Sequence, residues 1–238
     1  CAALANLEEC EKNPDEARIL NAEVPAEMAD ACAKRNIKFV HLSTDAVFDG
    51  TREGEYTEDD MPNPQGVYSQ TKLDGERAVQ QVNPLAIIAR VNFYGWSLGG
   101  RRSLGEFFVN NLSEGKNVNG FTDVIFCPMW VNHLAQTLIA MLEKDLRGLY
   151  HVVGAEAMNK YQFGVEVARK FGLRESLIEP QSVERSGLTA KRSHNLWLSV
   201  HKLSTALGQE LPTFSTGLDG FYAQFQQGYP QKIRGYQQ

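Results

Sequence analysis

Two short apolar segments on either side of an amphipathic helix pattern constrain the fold of this chain more than any other feature. Residues 37–42 and 85–91 are short and rich in branched or aromatic side chains, which predicts buried strands. Between them, residues 68–82 are predicted to form a helix, because Asn83-Pro84 ends the helical pattern. A strand, a helix and a second strand in this order predict a parallel sheet with helices packed on it.

The remaining sequence continues this alternation. Asn13-Pro14 predicts the start of a helix that runs to about Arg35, with a break near Val24-Pro25. Ser103 and Glu106 have the spacing of a capping box, which opens another helix. Apolar stripes predict further helices at residues 134–142 and 163–171. An apolar run predicts a further strand at residues 149–153. We therefore expect an α/β fold: a doubly wound, Rossmann-like parallel sheet with a smaller C-terminal portion.

The composition argues against a nucleic-acid-binding protein and against a membrane protein. The 238 residues are 42% hydrophobic, which is enough for a substantial core, and the net charge of −5 offers no basic surface for nucleic acid or an anionic membrane. No apolar run approaches the roughly 18 residues of a membrane span. The four cysteines show no C-x-x-C spacing, so reduced core thiols and a cytoplasmic location are predicted. The histidines show no metal-ligand spacing, and we predict no metal site.

Three side chains carry the predicted chemistry. Thr44 follows the first apolar segment, so it lies at the carboxyl end of a strand, the edge where open α/β sheets bind ligands. Tyr68 and Lys72 are four residues apart on the predicted helix and share one face. A free phenol has a pKa near ~10, and an adjacent ammonium is expected to lower it. Together they predict catalysis of proton transfer to a carbonyl oxygen, with Thr44 orienting that oxygen.

The motifs around these residues resemble those of the extended short-chain dehydrogenase/reductases. They comprise residues 43–50 (STDAVFDG), residues 56–60 (YTEDD) with Pro62 and Pro64, and residues 68–76 (YSQTKLDGE). Within that superfamily the sequence is most similar to the dTDP-4-dehydrorhamnose reductases, from its first residues to about Leu203. The resemblance implies an oxidoreductase of dTDP-rhamnose biosynthesis that uses NADPH or NADH to reduce a keto group of a nucleotide-linked deoxysugar.

The resemblance also implies roles for individual residues. Thr44, Tyr68 and Lys72 would be catalytic, and the smaller C-terminal portion would cap the substrate. The cofactor would contact Ala2, Ala3, Ser43, Tyr68 and Lys72. The nucleotide sugar would contact Thr44, Asp45, Phe93 and Arg192. Two of these roles have a plain structural alternative, since Phe93 could be a packed aromatic at a strand end, and Arg192, like its neighbour Lys191, a solvated surface charge.

The same resemblance suggests how the chain is organised. We expect residues 1–95 to be the remainder of a dinucleotide-binding domain with the catalytic residues, and residues 96–238 to complete the sheet and form the smaller substrate-binding portion. The family begins with a strand, a Gly-rich turn and a helix that hold the dinucleotide pyrophosphate. This sequence has no such turn, so we expect an amino-terminally incomplete chain that binds dinucleotide poorly on its own. A homodimer is expected because dimers are the commonest oligomers.

Two other functions stay open on the sequence. A sugar-nucleotide epimerase of the same superfamily could use the same three residues. Dehydration is disfavoured because Ala46 follows Asp45, where related dehydratases have a second acid. The β subunit of methionine adenosyltransferase also resembles this family, so a non-catalytic dinucleotide-binding regulatory subunit is the third possibility. Departures from the reductase pattern concern the substrate side, at Ala46, Phe93, Ser193 and Ser199.

Overall fold

The computed structural model describes residues 3–187, 190 and 192–237. The chain divides into two compact units. The first consists of Cys1–Val91, Thr137–Val152 and Gly187–Gln209, and the second of Asn92–Gln136, Val153–Ser186 and Glu210–Gln238. Both units therefore contain segments that are distant in the sequence.

A three-stranded parallel sheet forms the centre of the first unit. Its strands are β1 (Val40–Thr44), β2 (Ile87–Val91) and β7 (Gly148–Val152), with β2 in the middle. The pairing register sets Ser43 opposite Arg90 and Arg90 opposite His151. All five residues of β2 are buried, as expected for a central strand covered on both faces. The predicted α/β class and the parallel sheet are confirmed.

The helices of the first unit are mostly amino-terminal. They are α1 (Leu7–Lys12), α2 (Pro14–Arg18), α3 (Val24–Ala33), α4 (Val67–Val82) and α8 (His201–Leu207). Ala29 of α3 and Val79 of α4 pack in one buried cluster with Ala86 and Ile88, so both helices lie on the same face of the sheet. A short 3₁₀ turn, Asp45–Val47, follows β1 directly.

Three pairs of short strands lie in the second unit. The parallel pairs are β3 (Phe93–Tyr94) with β6 (Met129–Trp130), and β4 (Val118–Phe121) with β9 (Ile178–Gln181). β5 (Ile125–Phe126) pairs antiparallel with β8 (Met158–Asn159). A short strand of the first unit, β10, is formed by Asn195–Leu196.

Helices and aromatic side chains build the core of the second unit. The helices are α5 (Leu104–Ser113), α7 (Lys160–Phe171), α9 (Phe214–Gln226) and α10 (Tyr229–Arg234), and α6 (Val131–Glu143) begins in this unit. The ring of Tyr94 makes edge contacts with those of Phe163 and Phe221, at centroid distances of 5.2 and 5.5 Å. Ser103 caps α5 together with Glu106, which confirms the predicted capping box.

Some predicted boundaries are wrong. β1 begins at Val40, because Ile37 is 53% exposed at the end of the preceding turn, and β2 begins at Ile87, because Leu85 is 60% exposed. No break occurs at Val24-Pro25. Instead, one π-helical turn, Ile19–Glu23, joins α2 to α3, and the N–H of Val24 bonds to the carbonyl of Ile19. Pro25 lies in the first turn of α3, which follows this π-helical turn directly.

None of the helices within the described residues has the length and apolar character that a bilayer-spanning helix requires.

The π-helical turn approaches α4 closely at Gly75. A Cβ atom on Gly75 would lie 2.2 Å from the carbonyl oxygen of Asn21 and 3.2 Å from Nε2 of His41. Both are well inside normal contact, and the first partner is backbone. Only glycine therefore allows the π-helical turn and β1 to pack this close to the helix that carries Tyr68 and Lys72.

We expect Gly75→Ala to lower the free energy of unfolding by about 1–3 kcal/mol, because overpacking against the Asn21 backbone outweighs the better helix propensity of alanine. Urea unfolding followed by circular dichroism would measure it. Gly99→Ala is the matched control, since a Cβ at Gly99 meets nothing within 4 Å. Equal stability of the two variants would contradict the packing argument.

Candidate active site

Thr44 is the last residue of β1 and is almost fully buried. Its hydroxyl oxygen accepts the backbone N–H of Ala46 at 3.2 Å, which caps the following 3₁₀ turn. The same hydroxyl donates to Oδ1 of Asp45 at 3.1 Å. The threonine side chain is thus fixed by local contacts at the carboxyl end of the strand, as the sequence predicted.

Tyr68 lies in the first turn of α4, and the Thr44 side chain lies close enough to its hydroxyl to affect the pKa of the phenol. One helical turn later, Lys72 is 5% exposed, and its Nζ donates to the carbonyl oxygen of Leu42 at 2.5 Å. Leu42 is two residues before Thr44 in β1. The structure therefore brings the three predicted catalytic side chains to one place, at the contact between α4 and the end of β1.

The electrostatics differ from the sequence-based expectation. Burial raises the pKa of Tyr68 to about 12, and its hydrogen bond with Thr44 opposes that rise. The expected lowering by Lys72 is not found, because desolvation of the phenolate dominates. Burial also lowers the pKa of Lys72 to about 8, against the attraction of the nearby Glu76 carboxylate. Tyr68 therefore keeps its proton at neutral pH, and Lys72 keeps its charge until the pH approaches 8.

A buried ion pair joins α4 to the strands of the sheet beside these residues. Glu76 accepts two hydrogen bonds from Arg90 of β2, from Nε at 2.9 Å and from Nη2 at 2.8 Å. Ser43 donates its hydroxyl hydrogen to the same carboxylate at 2.5 Å. All three side chains are almost fully buried. Sequence reasoning did not pair Glu76 with Arg90, although an arginine within an apolar strand is a signal that could have suggested a buried ion pair.

Ser43 was predicted to contact the cofactor. Its hydroxyl instead bonds to Glu76 of α4, so in this structure the side chain joins the strand to the helix. The contact of Ser43 with a cofactor remains a prediction.

Asn21 links the amino-terminal segment to α4, the helix of the predicted catalytic residues, a role that sequence reasoning missed. Its amide group pairs with both backbone groups of Leu4, accepting the N–H and donating to the C=O, each at 3.0 Å. Its NH₂ group also donates to Oγ1 of Thr71 at 3.1 Å, and Thr71 in turn donates to the carbonyl of Tyr68. Asn21 is fully buried. The segment at Leu4 is therefore tied to the turn that carries Tyr68 and Lys72.

The predicted cofactor residues at the amino terminus adjoin this clamp. Ala3 is exposed and directly precedes Leu4. Ala2 lies outside the described residues. The clamp presents the backbone beside Ala3 in a fixed position, and the predicted contacts of Ala2 and Ala3 with a cofactor remain predictions.

The predicted substrate residues have different environments. Asp45 is almost fully buried next to Thr44, and Phe93 on β3 is 47% exposed. Arg192 is about one-fifth exposed and pairs with Glu8 of α1, at 3.4 Å, while also donating to the carbonyl of Ala190 at 2.6 Å. Arg192 is therefore not a freely solvated charge, and its neighbour Lys191 lies outside the described residues.

The acidic residues before α4 have structural contacts. Glu58 accepts the backbone N–H of His151 at 2.9 Å, on the strand β7. Asp60 accepts the N–H and hydroxyl of Thr57 and pairs with Arg52. Across residues 3–187, 190 and 192–237 there is no group of three or more His, Cys, Asp or Glu side chains that could hold a metal ion.

The donors at the site suit a nicotinamide ribose. Lys72 Nζ carries three N–H donors and uses one of them on Leu42, so further donors are available for ribose hydroxyls. Tyr68 supplies a hydroxyl one turn earlier on the same helix, and it is partly exposed. A cationic and a phenolic donor at the carboxyl edge of a parallel sheet fit a dinucleotide whose nicotinamide end lies there.

Comparison with known proteins decides the family. The family model described as "RmlD substrate binding domain" matches residues 1–227. The chain belongs to this family. The probable low-salt glycan biosynthesis reductase Agl14 of Haloferax volcanii is 34% identical over 228 residues, which cover 94% of this chain and 76% of that protein. The methionine adenosyltransferase 2 subunit beta of Xenopus laevis is 32% identical over 229 residues, covering 92% of this chain and 67% of that protein.

A solved structure supports the same relationship. The dTDP-4-dehydrorhamnose reductase of Bacillus anthracis, solved in complex with NADP, superimposes with a TM-score of 0.88 at 25% identity. The match covers 94% of this chain and 79% of that one. This RmlD-family chain thus has the Rossmann-like fold, and the predicted relationship to the sugar-nucleotide reductases is confirmed.

The Asn21 clamp can be tested without a ligand. In Asn21→Ala, both backbone groups of Leu4 lose their partner, so we expect the unfolding free energy to fall by about 2–4 kcal/mol. Amide hydrogen exchange at Leu4 should accelerate more than the global change explains. Asn111→Ala, on an exposed helix face, is the control and should leave both quantities nearly unchanged. Unchanged exchange at Leu4 in the Asn21 variant would contradict the clamp.

Proposed function

We propose that this protein is an NAD(P)H-dependent reductase of the keto group of a nucleotide-linked deoxysugar. The observation that carries the proposal is the placement of the Tyr68 phenol beside the Thr44 side chain, with Lys72 one helical turn away on the same helix. The family membership and the reductases among its relatives support the same reaction class. NADP in the Bacillus anthracis structure favours NADPH or NADH as the cofactor class here.

Each side chain has a defined task in this reaction. A bound nicotinamide would supply the hydride. Tyr68 donates the phenolic proton to the ketone oxygen, and the pKa of Tyr68, raised by burial to about 12, keeps that proton in place at neutral pH. Thr44 hydrogen-bonds the same oxygen and fixes its position. Lys72 holds the ribose through the N–H donors that its hydrogen bond with Leu42 leaves unused.

Tyr68→Phe is expected to lower kcat by roughly 10²–10⁴-fold, because the variant has no proton to donate. The measurement is NAD(P)H oxidation with a panel of nucleotide 4-ketosugars. Tyr161→Phe is the control, because it also removes a tyrosine hydroxyl, but from a side chain that packs against the core of the second unit. Turnover that survives in Tyr68→Phe would remove this residue from the reaction.

The pH dependence should report on Lys72. Because the pKa of Lys72 is about 8, its amino group is charged at neutral pH and loses its proton and charge as the pH rises through 8. We therefore expect kcat/KM to fall on the alkaline side of pH 8. In Lys72→Arg the absolute rate is expected to be lower, but this alkaline fall should disappear, because a guanidinium stays charged. An identical alkaline limb in both proteins would assign it to another group.

A second candidate function is a non-catalytic dinucleotide-binding subunit. The observation that favours it is the 32% identity to the methionine adenosyltransferase 2 subunit beta of Xenopus laevis. One experiment distinguishes the two functions. A reductase oxidises cofactor with at least one ketosugar, whereas a regulatory subunit binds cofactor and turns over none of them. An epimerase of the same superfamily would convert the sugar without net cofactor oxidation.

We also propose a pathway, substrate contacts, a location and an oligomeric state for this protein. They are the dTDP-rhamnose pathway, the contacts of Asp45, Phe93 and Arg192 with the nucleotide sugar, a cytoplasmic location and a homodimer. The same holds for the roles of residues 1–95 in binding cofactor and of residues 96–238 in binding substrate.

A further inference from the structure

Three buried polar side chains lie side by side at one level of the parallel sheet. Ser43, Arg90 and His151 are register partners on β1, β2 and β7, and directly paired residues on neighbouring strands point to the same face. Their exposed fractions are 3%, 2% and 0%. A row of polar side chains in this position must satisfy its hydrogen bonds internally.

Two residues of the row, Ser43 and Arg90, have a common hydrogen-bond acceptor. Ser43 and Arg90 both bond to the Glu76 carboxylate, and Arg90 uses Nε and Nη2 for this purpose. The remaining terminal nitrogen, Nη1, is buried and has no hydrogen-bond partner among the described residues. Nη1 is therefore the one nitrogen of the guanidinium that the ion pair leaves unsatisfied among the described residues.

The other half of the row is His151. Its Nδ1 lies 3.2 Å from the carbonyl oxygen of Ser199. A carbonyl oxygen can only accept, so Nδ1 carries the hydrogen, and Nε2 of the neutral ring presents a lone pair. The pKa of His151, lowered by burial and by Arg90 to about 3, keeps the ring neutral. Nε2 is also buried, with no hydrogen-bond partner in the described part of the chain.

A donor without an acceptor and an acceptor without a donor therefore sit on adjacent strands. The ring of Phe48 lies against both groups, with its centroid 4.9 Å from Cζ of Arg90 and 5.8 Å from the centroid of His151. No direct hydrogen bond joins Nη1 to Nε2. Each buried group without a partner would keep the full penalty of its desolvation. One water molecule would satisfy both, since it can accept from Nη1 and donate to Nε2.

We propose that a single buried water bridges Arg90 Nη1 and His151 Nε2, and that His151 is a positioning residue which acts through Arg90 and Glu76 on Ser43. Ser43 immediately precedes Thr44 in β1. A fixed guanidinium fixes the Glu76 carboxylate, which holds the end of β1 against α4. The effect on catalysis rests on the proposed reductase function, whereas the water and the tautomer do not.

The water and the tautomer can be tested on the wild-type protein. A crystal structure at high resolution should show one water within hydrogen-bond distance of both nitrogens. Nitrogen-15 NMR of the histidine rings should show His151 neutral, with the hydrogen on Nδ1. A dry contact between Arg90 and His151, or a hydrogen on Nε2, would overturn the proposal.

Two variants test the positioning role. His151→Phe removes the acceptor, and we expect kcat to fall roughly tenfold while KM stays within about twofold, because a small displacement of Thr44 affects the reacting geometry more than binding. His151→Gln keeps an amide donor for Ser199 and an oxygen acceptor for the water, so it should recover most of kcat. A merely structural role would lower the stability of both variants and leave kcat of the folded enzyme unchanged.

Ser204→Ala serves as the control. It removes a buried hydroxyl that also has no partner within the described residues, but on α8, outside the polar row. It should leave kcat unchanged. Equal kcat in wild type, His151→Phe and His151→Gln would overturn the positioning role. If the wild-type protein reduces no ketosugar, the reductase proposal fails, and the crystal and NMR measurements still decide whether the bridge exists.

Discussion

The rest of the candidate site depends on the buried ion pair between Glu76 and Arg90. It joins α4, which carries Tyr68 and Lys72, to the central strand β2, and through Ser43 it also holds β1, which carries Thr44. Neither charge is exposed to solvent, so removal of one partner would leave the other uncompensated, at a cost of about 3–5 kcal/mol. The geometry of the three predicted catalytic residues therefore depends on an ion pair between two other residues.

Burial determines the protonation of the site. The same desolvation that keeps the proton on Tyr68 weakens the charge of Lys72, because both charged forms lose contact with water. Two short-range contacts oppose these trends, the Thr44 hydroxyl for the phenol and the Glu76 carboxylate for the ammonium. Glu76 thus has two roles, since it holds the strands to the helix and keeps Lys72 charged near neutral pH.

Much of the fold was predictable because its signals are local. The apolar runs, the Asn83-Pro84 stop of α4 and the Ser103 capping box depend on neighbouring residues, and the helix and strands they predict are present. The strand starts were misplaced because exposure of Ile37 and Leu85 depends on what covers them. The π-helical turn at Ile19–Glu23 also escaped prediction, since its backbone follows from the close approach to Gly75.

The sequence by itself determined the α/β class, the positions of Thr44, Tyr68 and Lys72 on their elements, and the resemblance to the sugar-nucleotide reductases. These follow from periodicity and from the spacing of residues along one helix. Only the tertiary structure decided that Glu76 pairs with Arg90, that Asn21 clamps Leu4, and that the pKa of Tyr68 rises. Pairing and desolvation depend on which distant segments exclude water from a group, and linear spacing carries no information about that.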